Sequence, residues 1–221
     1  MNILSVDTSS NFLSYSITKD NDLIYQYNRI INRGASLLIS KLEETFKKIS
    51  MQIKDFDLFV IGSGPGSFTG LRISFAAVKA FALAANKPVF SQNSFFACAY
   101  PFRKKEKKIV VIGDAKKNLV YAGFFISGQK GLRQKSKIKL MKLKDCLQKA
   151  EGYLFLTYDS HLRKKAKIIK KDMRFFQKDI YPRAKYLVDG NNFNKINYKK
   201  LQKIKPLYLH SLDCQVTKKN R

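Results

Sequence analysis

The stretch GSGPGSFTGLRIS, residues 62–74, places four glycines and one proline within nine positions and then takes on a helical pattern. Glycine-rich turns that open a helix are common phosphate sites, because free backbone N–H groups and the positive end of the helix dipole meet there. The stretch is therefore either a nucleotide-binding loop or a tight strand-to-helix turn with another use.

Two phosphate-binding motifs do not fit this stretch. A Walker-type loop needs a lysine directly after a glycine, and no glycine between residues 62 and 70 is followed by one. A dinucleotide fingerprint that begins at Gly62 would place Ser67 at its third glycine. The acidic residue expected about twenty positions later is also missing from NKPVFSQNS, residues 86–94. These mismatches favour a tight turn.

The turn and its helix have features of a contact surface. Glycines allow positive φ and close backbone approach, Pro65 stiffens the turn, and Ser67 or Thr69 is placed to cap the helix. Small residues recur every four positions along that helix: Ala76, Ala80 and Ala84. We therefore expect the exposed side of the turn and helix to meet a partner helix.

The first 102 residues predict a strand meander followed by alternating helices and strands. Residues 2–6 form an apolar strand pattern, and residues 13–18 alternate apolar and polar side chains, as a half-buried strand does. A third strand, a helix, a short buried strand and a second helix then follow at residues 23–31, 35–49, 57–63 and 68–85.

The second half of the chain repeats this order. IVVIGDAKKN, residues 109–118, is again an apolar strand that ends in an aspartate. Strands at residues 119–127 and 132–140, a helix at 142–150, a strand at 153–157 and a short helix in IYPRAKYLVDG follow. The repetition predicts an α/β protein with two similar halves. The charged run RKKEKK, residues 103–108, divides an N-terminal half (1–102) from a C-terminal half (103–221), whose last segment is a candidate to pack back on the first.

Asp7, Thr8 and Ser9 follow the first predicted strand and allow two interpretations. A carboxylate followed by hydroxyls can orient a metal or a phosphate-bound water. Such a side chain can equally cap the turn through its own backbone. We favour the cap, and a cofactor site at these three residues stays the weaker alternative.

The positive charge is concentrated in the C-terminal half. Residues 1–102 carry ten Lys and Arg against seven Asp and Glu, whereas residues 103–221 carry 33 against nine. This asymmetry indicates a polyanionic partner. Lysine outnumbers arginine 34 to nine, so the bias of an A+T-rich genome explains the charge about equally well.

The cysteines and the apolar segments favour a cytoplasmic protein. Cys98, Cys146 and Cys214 are far apart and form no CxxC pair, as in a reduced compartment. The first ten residues lack the pattern of a signal peptide. Residues 68–85 are interrupted by Arg72 and Lys79, and we expect them to be too short to cross a bilayer.

Three motifs together resemble the TsaB (YeaZ) family. They are ILSVDTSS at residues 3–10, GPGSFTGLR at residues 64–72, which matches without a break, and DAKKNLVY at residues 114–121, where Leu119 replaces the usual acid. SQNSFFACA, YPRAKYL and PLYL also fit the family, so the resemblance covers nearly the whole chain, most weakly at residues 125–180.

The resemblance implies the fold of actin-like ATPases and sugar kinases, with two ribonuclease-H-like halves and mixed sheets. It also implies a non-catalytic subunit in the synthesis of threonylcarbamoyladenosine at position 37 of tRNA. Its partners would be a TsaD-like catalytic subunit, a TsaE-like ATPase and a second copy of itself. ATP, magnesium and threonylcarbamoyl-adenylate would be used by the complex rather than bound by this chain.

Several residues argue against catalysis by this chain. TsaD holds a metal through histidines on a helix, and the corresponding segment here, NRGASLLISKLEE, contains none. The two histidines, His161 and His210, are isolated, so we expect no metal site. No GxG follows residue 103, which leaves the second nucleotide clamp incomplete.

The family's self-association and TsaD-binding surface lies on its first two long helices. On this chain those are residues 35–49 and the helix that follows the glycine turn. One departure affects the contact: Arg33-Gly34-Ala35 stands where the family has a His-Ser-Glu-like sequence. The contact residues implied are Leu37, Leu38, Lys41, Gly64, Pro65, Gly66, Ser67, Phe68, Thr69, Gly70, Leu71, Arg72, Ala76 and Ala80.

Two other functions remain open from the sequence. One is an ATP-dependent phosphotransferase of the same fold, with Asp7 and Asp114 on either side of a cleft. The other is a tRNA-binding accessory module that uses the C-terminal lysines. The absence of aromatic RNA-binding signatures among those lysines favours a supporting contact to tRNA over a stand-alone module.

Overall fold

The computed structural model describes residues 1–31, 34–188 and 201–209 of the chain. It has an α/β architecture with two five-stranded mixed sheets. Both sheets begin with a buried apolar strand that ends in an aspartate, Asp7 in the first and Asp114 in the second.

The first sheet has the strand order β3-β2-β1-β4-β5. Strands β1 to β3 form the expected antiparallel meander, and β4 and β5 run parallel to β1. The strands are β1 (Asn2–Asp7), β2 (Phe12–Lys19), β3 (Asp22–Ile30), β4 (Leu58–Gly62) and β5 (Val89–Gln92).

Written from its other edge, the second sheet has the order β8-β7-β6-β10, which repeats β3-β2-β1-β4 of the first sheet. Strand β9 also pairs with β7. Its strands are β6 (Lys108–Asp114), β7 (Leu119–Gly128), β8 (Gly131–Gln134), β9 (Lys139–Lys142) and β10 (Leu154–Leu156). The single strand predicted over residues 132–140 is thus two short strands. A parallel bridge between Phe155 and Phe175 occupies the position that β5 has in the first sheet.

Helices cover both faces of each sheet. α1 and α2 pack on one face of the first sheet, α4 and α5 pack on one face of the second, and α3 lies on the other face of the second. The helices are α1 (Leu38–Lys48), α2 (Phe68–Ala85), α3 (Ser94–Ala99), α4 (Leu143–Lys149) and α5 (Ser160–Ile169). Short 3-10 helices occupy Gly34–Leu37, Ile53–Asp55, Tyr100–Phe102, Ala184–Leu187 and Leu201–Lys203.

The prediction that β2 is half-buried was wrong. Its polar residues Ser14 and Ser16 are as buried as its apolar ones. The 3-10 helix Ala184–Leu187 covers them, and the Ala184 N–H donates to Ser14 Oγ at 2.7 Å. A segment from the second half of the chain therefore completes the first sheet.

Helix α2 is long and apolar enough to cross a membrane, by length and composition alone. The expectation that this segment is too short was therefore wrong. Its residues Leu71, Phe75 and Val78 are buried in the core of the first sheet, and core helices of α/β proteins have the same composition.

Candidate functional site

The glycine-rich turn joins β4 to α2 through residues 63–67. Gly64 has a φ of +88°, a conformation that glycine adopts without steric cost. Ser67 caps α2 by accepting a hydrogen bond from the Gly70 N–H at 3.1 Å. The predicted helix cap is therefore confirmed for Ser67, whereas Thr69 lies on the exposed side of the first helical turn.

The turn packs directly on the backbone that follows β1. The Ser67 N–H donates to Ser9 O at 2.6 Å, and the Thr8 hydroxyl donates to Gly70 O at 2.8 Å. A Cβ atom at Gly66 would lie 1.9 Å from Ser9 O, and one at Gly70 would lie 2.1 Å from Thr8 O. These glycines are needed because two backbone segments of the same chain touch here.

Asp7 is fully buried at the end of β1. Its Oδ1 accepts hydrogen bonds from the Ser9 N–H at 2.9 Å and the Ser9 hydroxyl at 2.7 Å, so the interpretation as a turn cap is confirmed. Burial raises the pKa of Asp7 to about 6, against the opposing effect of the Ser94 and Ser9 hydroxyls. A Cβ atom at Gly62 would overlap Asp7 Oδ2 at 1.8 Å, so the carboxylate fills the space beside that glycine.

Asp114, the corresponding residue of the second sheet, is half-exposed. Its Oδ1 accepts from the Lys116 N–H at 2.8 Å, and its Oδ2 is 2.7 Å from Lys116 Nζ. Partial burial acts to raise the pKa of Asp114, but these contacts with Lys116 outweigh it and the pKa is lowered. Within residues 1–31, 34–188 and 201–209, no group of three or more His, Cys, Asp or Glu could hold a metal ion.

The C-terminal segment lies over the glycine turn. The Leu207 N–H donates to Ser63 O at 2.8 Å, and the rings of Tyr208 and Phe68 are 4.9 Å apart. On the other side of Phe68, the Arg72 guanidinium carbon is 3.7 Å from the ring centroid. This part of the turn is therefore covered by the chain itself.

The fourteen implied contact residues divide into exposed and buried sets. The exposed ones are Leu37, Ser67, Thr69, Arg72, Ala76 and Ala80, and the half-exposed ones are Lys41, Gly66 and Phe68. The buried ones are Leu38, Gly64, Pro65, Gly70 and Leu71. The buried five have little surface with which to touch a partner: Leu38 and Leu71 belong to the core and Gly70 packs on the turn after β1, so we expect them to support the contact from beneath.

Three residues of this surface were missed from the sequence. Leu83 is 73% exposed on the same side of α2 as Ala76 and Ala80, and Ile39 is 48% exposed on α1. Phe81 lines a 610 Å³ groove between the helices, together with Ile39, Leu42, Phe46, Met51 and Ile53. Helix phase did not mark them, because Leu71, Phe75 and Val78 also each follow a buried residue of α2 and are themselves buried.

The comparisons with known proteins agree on one group. The family model "TsaD: tRNA N6-adenosine threonylcarbamoyltransferase" matches residues 33–208. A tRNA threonylcarbamoyladenosine biosynthesis protein TsaB from Buchnera aphidicola (subsp. Schizaphis graminum) is 27% identical over 194 residues, which are 84% of this chain and 90% of that protein. The TsaB protein of Bacillus subtilis is 27% identical over 169 residues, 74% of each chain.

Solved structures show the same fold. YeaZ from Pseudomonas aeruginosa superposes with a TM-score of 0.79 at 18% identity, covering 94% of this chain and 100% of that one. A further Pseudomonas aeruginosa protein, described as similar to peptidase YEAZ, superposes with a TM-score of 0.81 at 18% identity, covering 95% and 99%. The expected α/β fold with two mixed sheets is confirmed, and it is the fold of these two structures.

Proposed function

The chain belongs to the TsaD family of tRNA N6-adenosine threonylcarbamoyltransferases, within its TsaB (YeaZ) members, and from this membership we propose that it acts in tRNA threonylcarbamoyladenosine biosynthesis. Its role there is that of a non-catalytic subunit. It binds a TsaD-like catalytic subunit through α1 and α2 and stabilises the active form of that subunit. The site of action is the cytoplasm, where tRNA is modified.

The observation that carries the docking role is the exposed apolar surface of α1 and α2. Ile39 of α1 is 48% exposed beside the groove that Phe81 lines, and Leu83 is 73% exposed on the side of α2 that carries Ala76 and Ala80. Contiguous apolar surface rimmed by charged residues is typical of protein–protein contacts, and Glu43 and Lys47 border this groove. Ala76 and Ala80 would let a partner helix approach α2 closely.

The closed glycine turn supports a non-catalytic role. The Ser67 N–H, which a phosphate-binding turn would direct at its ligand, donates to Ser9 O instead. Oδ1 of Asp7 is likewise occupied by the Ser9 N–H and hydroxyl. These contacts weigh against the phosphotransferase alternative, which needs Asp7 and Asp114 free to face a nucleotide.

We assign the nucleotide chemistry to the other members of the complex. ATP, magnesium and threonylcarbamoyl-adenylate would be bound by the catalytic subunit and by a TsaE-like ATPase. The exposed side of α2 that carries Ala76, Ala80 and Leu83 also suits a second copy of this chain. A homodimer would therefore compete for this surface with the complex formed with the catalytic subunit.

The docking surface is tested with the double substitution Ala80→Glu and Leu83→Glu. Both positions are exposed, so the chain should stay folded, and desolvating two glutamates should weaken binding to the TsaD-like subunit of the same cell by about 100-fold or more. Light scattering on a sizing column measures the complex, and circular dichroism verifies the fold.

The matched control is Ile168→Glu, which changes an 82% exposed apolar residue on α5 in the same way. It should leave the complex intact. Unchanged complex formation by the Ala80→Glu, Leu83→Glu chain would show that the partner binds elsewhere.

The division of labour is tested by reconstitution. This chain alone, given tRNA, ATP, magnesium and threonylcarbamoyl-adenylate, should transfer no threonylcarbamoyl group, whereas its addition should raise transfer by the catalytic subunit. Transfer by the purified chain alone, or magnesium–ATP binding by calorimetry with turnover, would overturn the non-catalytic assignment.

A further inference from the structure

A second cavity, of 220 Å³, opens between the β6–β7 turn and the start of α5. Its lining includes Lys116, Lys117, Lys165, His161, Asp114 and Asp159. None of these residues belongs to the docking surface on α1 and α2. The cavity therefore needs an explanation of its own.

The cavity exists because the second sheet lacks the long connection that fills the equivalent place on the first. In the first sheet, residues 63–67 join β4 to α2 and pack on the turn after Asp7. In the second sheet, only residues 157–159 join β10 to α5. The turn after Asp114 is left uncovered, and its lysines face the open space.

The carboxylates in the cavity are already engaged. Asp114 is bound by Lys116, and Asp159 accepts a hydrogen bond from the Leu162 N–H at 3.0 Å as the cap of α5. Lys165 Nζ donates to the neutral amide oxygen of Asn118. For Lys117, no ion pair is found in the part of the chain that the structure describes. Lys117 and Lys165 are therefore the two lysines of the cavity that form no ion pair within the described residues, although Lys165 is near enough to Asp114 to help lower its pKa.

The surroundings of the cavity add to its positive potential. Residues 103–188 carry 25 Lys and Arg against seven Asp and Glu. A basic surface of this size attracts polyanions over distances near the Debye length, and a concave site within it concentrates that field. A phosphate group fits both the charge and the size of the cavity.

We propose that this cavity binds a backbone phosphate of RNA, held by the ammonium groups of Lys117 and Lys165. The identification of that RNA as tRNA rests on the proposed function. Lysines that border the cavity would contact neighbouring phosphates, and the docking surface on the first half would stay free for the catalytic subunit.

The test compares two double variants of the full chain in a filter-binding assay with tRNA. Lys117→Ala with Lys165→Ala should weaken tRNA binding by about tenfold and lower the slope of log K against log salt concentration by about 1 to 2. Lys130→Ala with Lys137→Ala removes the same charge from exposed positions of the second half outside the cavity, and should change the affinity less than twofold. Equal losses in both variants would show diffuse attraction and overturn the site.

Two further measurements distinguish the RNA site from the docking surface and from a site for a small phosphorylated ligand. The Lys117→Ala, Lys165→Ala chain should still form the complex with the TsaD-like subunit, so a failure of the docking proposal would appear there and not in tRNA binding. Micromolar binding of ATP or pyrophosphate to these lysines, with tRNA binding unchanged, would assign the cavity to a small phosphorylated ligand and overturn the RNA proposal.

Discussion

Two aspartates at equivalent positions show how local packing sets the role of a residue. Asp7 and Asp114 each end the first strand of a sheet and face the turn that follows. Asp7 is buried beside the glycine turn and accepts a hydrogen bond from the Ser9 N–H, whereas Asp114 is half-exposed and forms an ion pair with Lys116. Burial raises the pKa of the first, and the lysine contacts lower the pKa of the second.

The raised pKa of Asp7 makes stability depend on pH. The ionised form is disfavoured in the folded chain, so its contribution to stability is full below pH 3.8 and is lost as the pH rises through about 6. Asp7→Asn keeps an acceptor for Ser9 and removes the buried charge. We expect it to raise the free energy of unfolding by up to about 3 kcal/mol at pH 7.5.

Urea denaturation at several pH values checks this expectation. The gain of Asp7→Asn over the wild type should shrink steadily from pH 7.5 to pH 4.5, because the wild-type carboxyl becomes protonated. A gain that stays constant over this range would mean that the substitution acts through packing and not through the charge.

Among the elements of the fold, the connection between β4 and α2 depends most on glycine. Gly70 lies inside α2, where alanine is intrinsically the better helix former by about 1 kcal/mol. A Cβ there would nevertheless meet Thr8 O at 2.1 Å. We expect Gly70→Ala to destabilise the chain by about 1–3 kcal/mol, measured by thermal melting. Gly128→Ala is the control, because no atom lies within 4 Å of its Cβ, and equal losses in both variants would contradict the close-approach argument.

The strands, helices and turns could be predicted from the sequence more accurately than the burial or exposure of their side chains. The repeated strand order, the helix cap at Ser67 and the turn cap at Asp7 follow from local periodicity and turn chemistry, which a sequence contains directly. The burial of Ser14 and Ser16 depends on Ala184, which is 170 positions away from Ser14. The exposure of Leu83 and Ile39 was missed for a related reason, since hydrophobicity alone does not state which side of a helix is covered.

At the scale of the molecule, the two halves of the sequence are linked through the first sheet. Ala184 and Leu187 pack on Ile3, Leu58 and Val60 across one of its faces. On the opposite face, Ile204 joins the core formed with α1 and α2 and is 2% exposed. The chain therefore returns to its first half after completing the second sheet, and both faces of the first sheet depend on residues beyond position 180.

This return predicts that a distant residue controls the stability of the first half. Ile204→Ala should lower the free energy of unfolding by about 2–5 kcal/mol, because it leaves a cavity in a closed core. Ile168→Ala deletes the same atoms from a residue that is 82% exposed and should change stability by less than about 0.5 kcal/mol. The chain has 11 tyrosines and no tryptophan, so urea denaturation followed by tyrosine fluorescence and circular dichroism measures both variants. If Ile204→Ala cost no more than Ile168→Ala, the core formed with α1 and α2 would not depend on the Ile204 side chain, which would contradict this prediction.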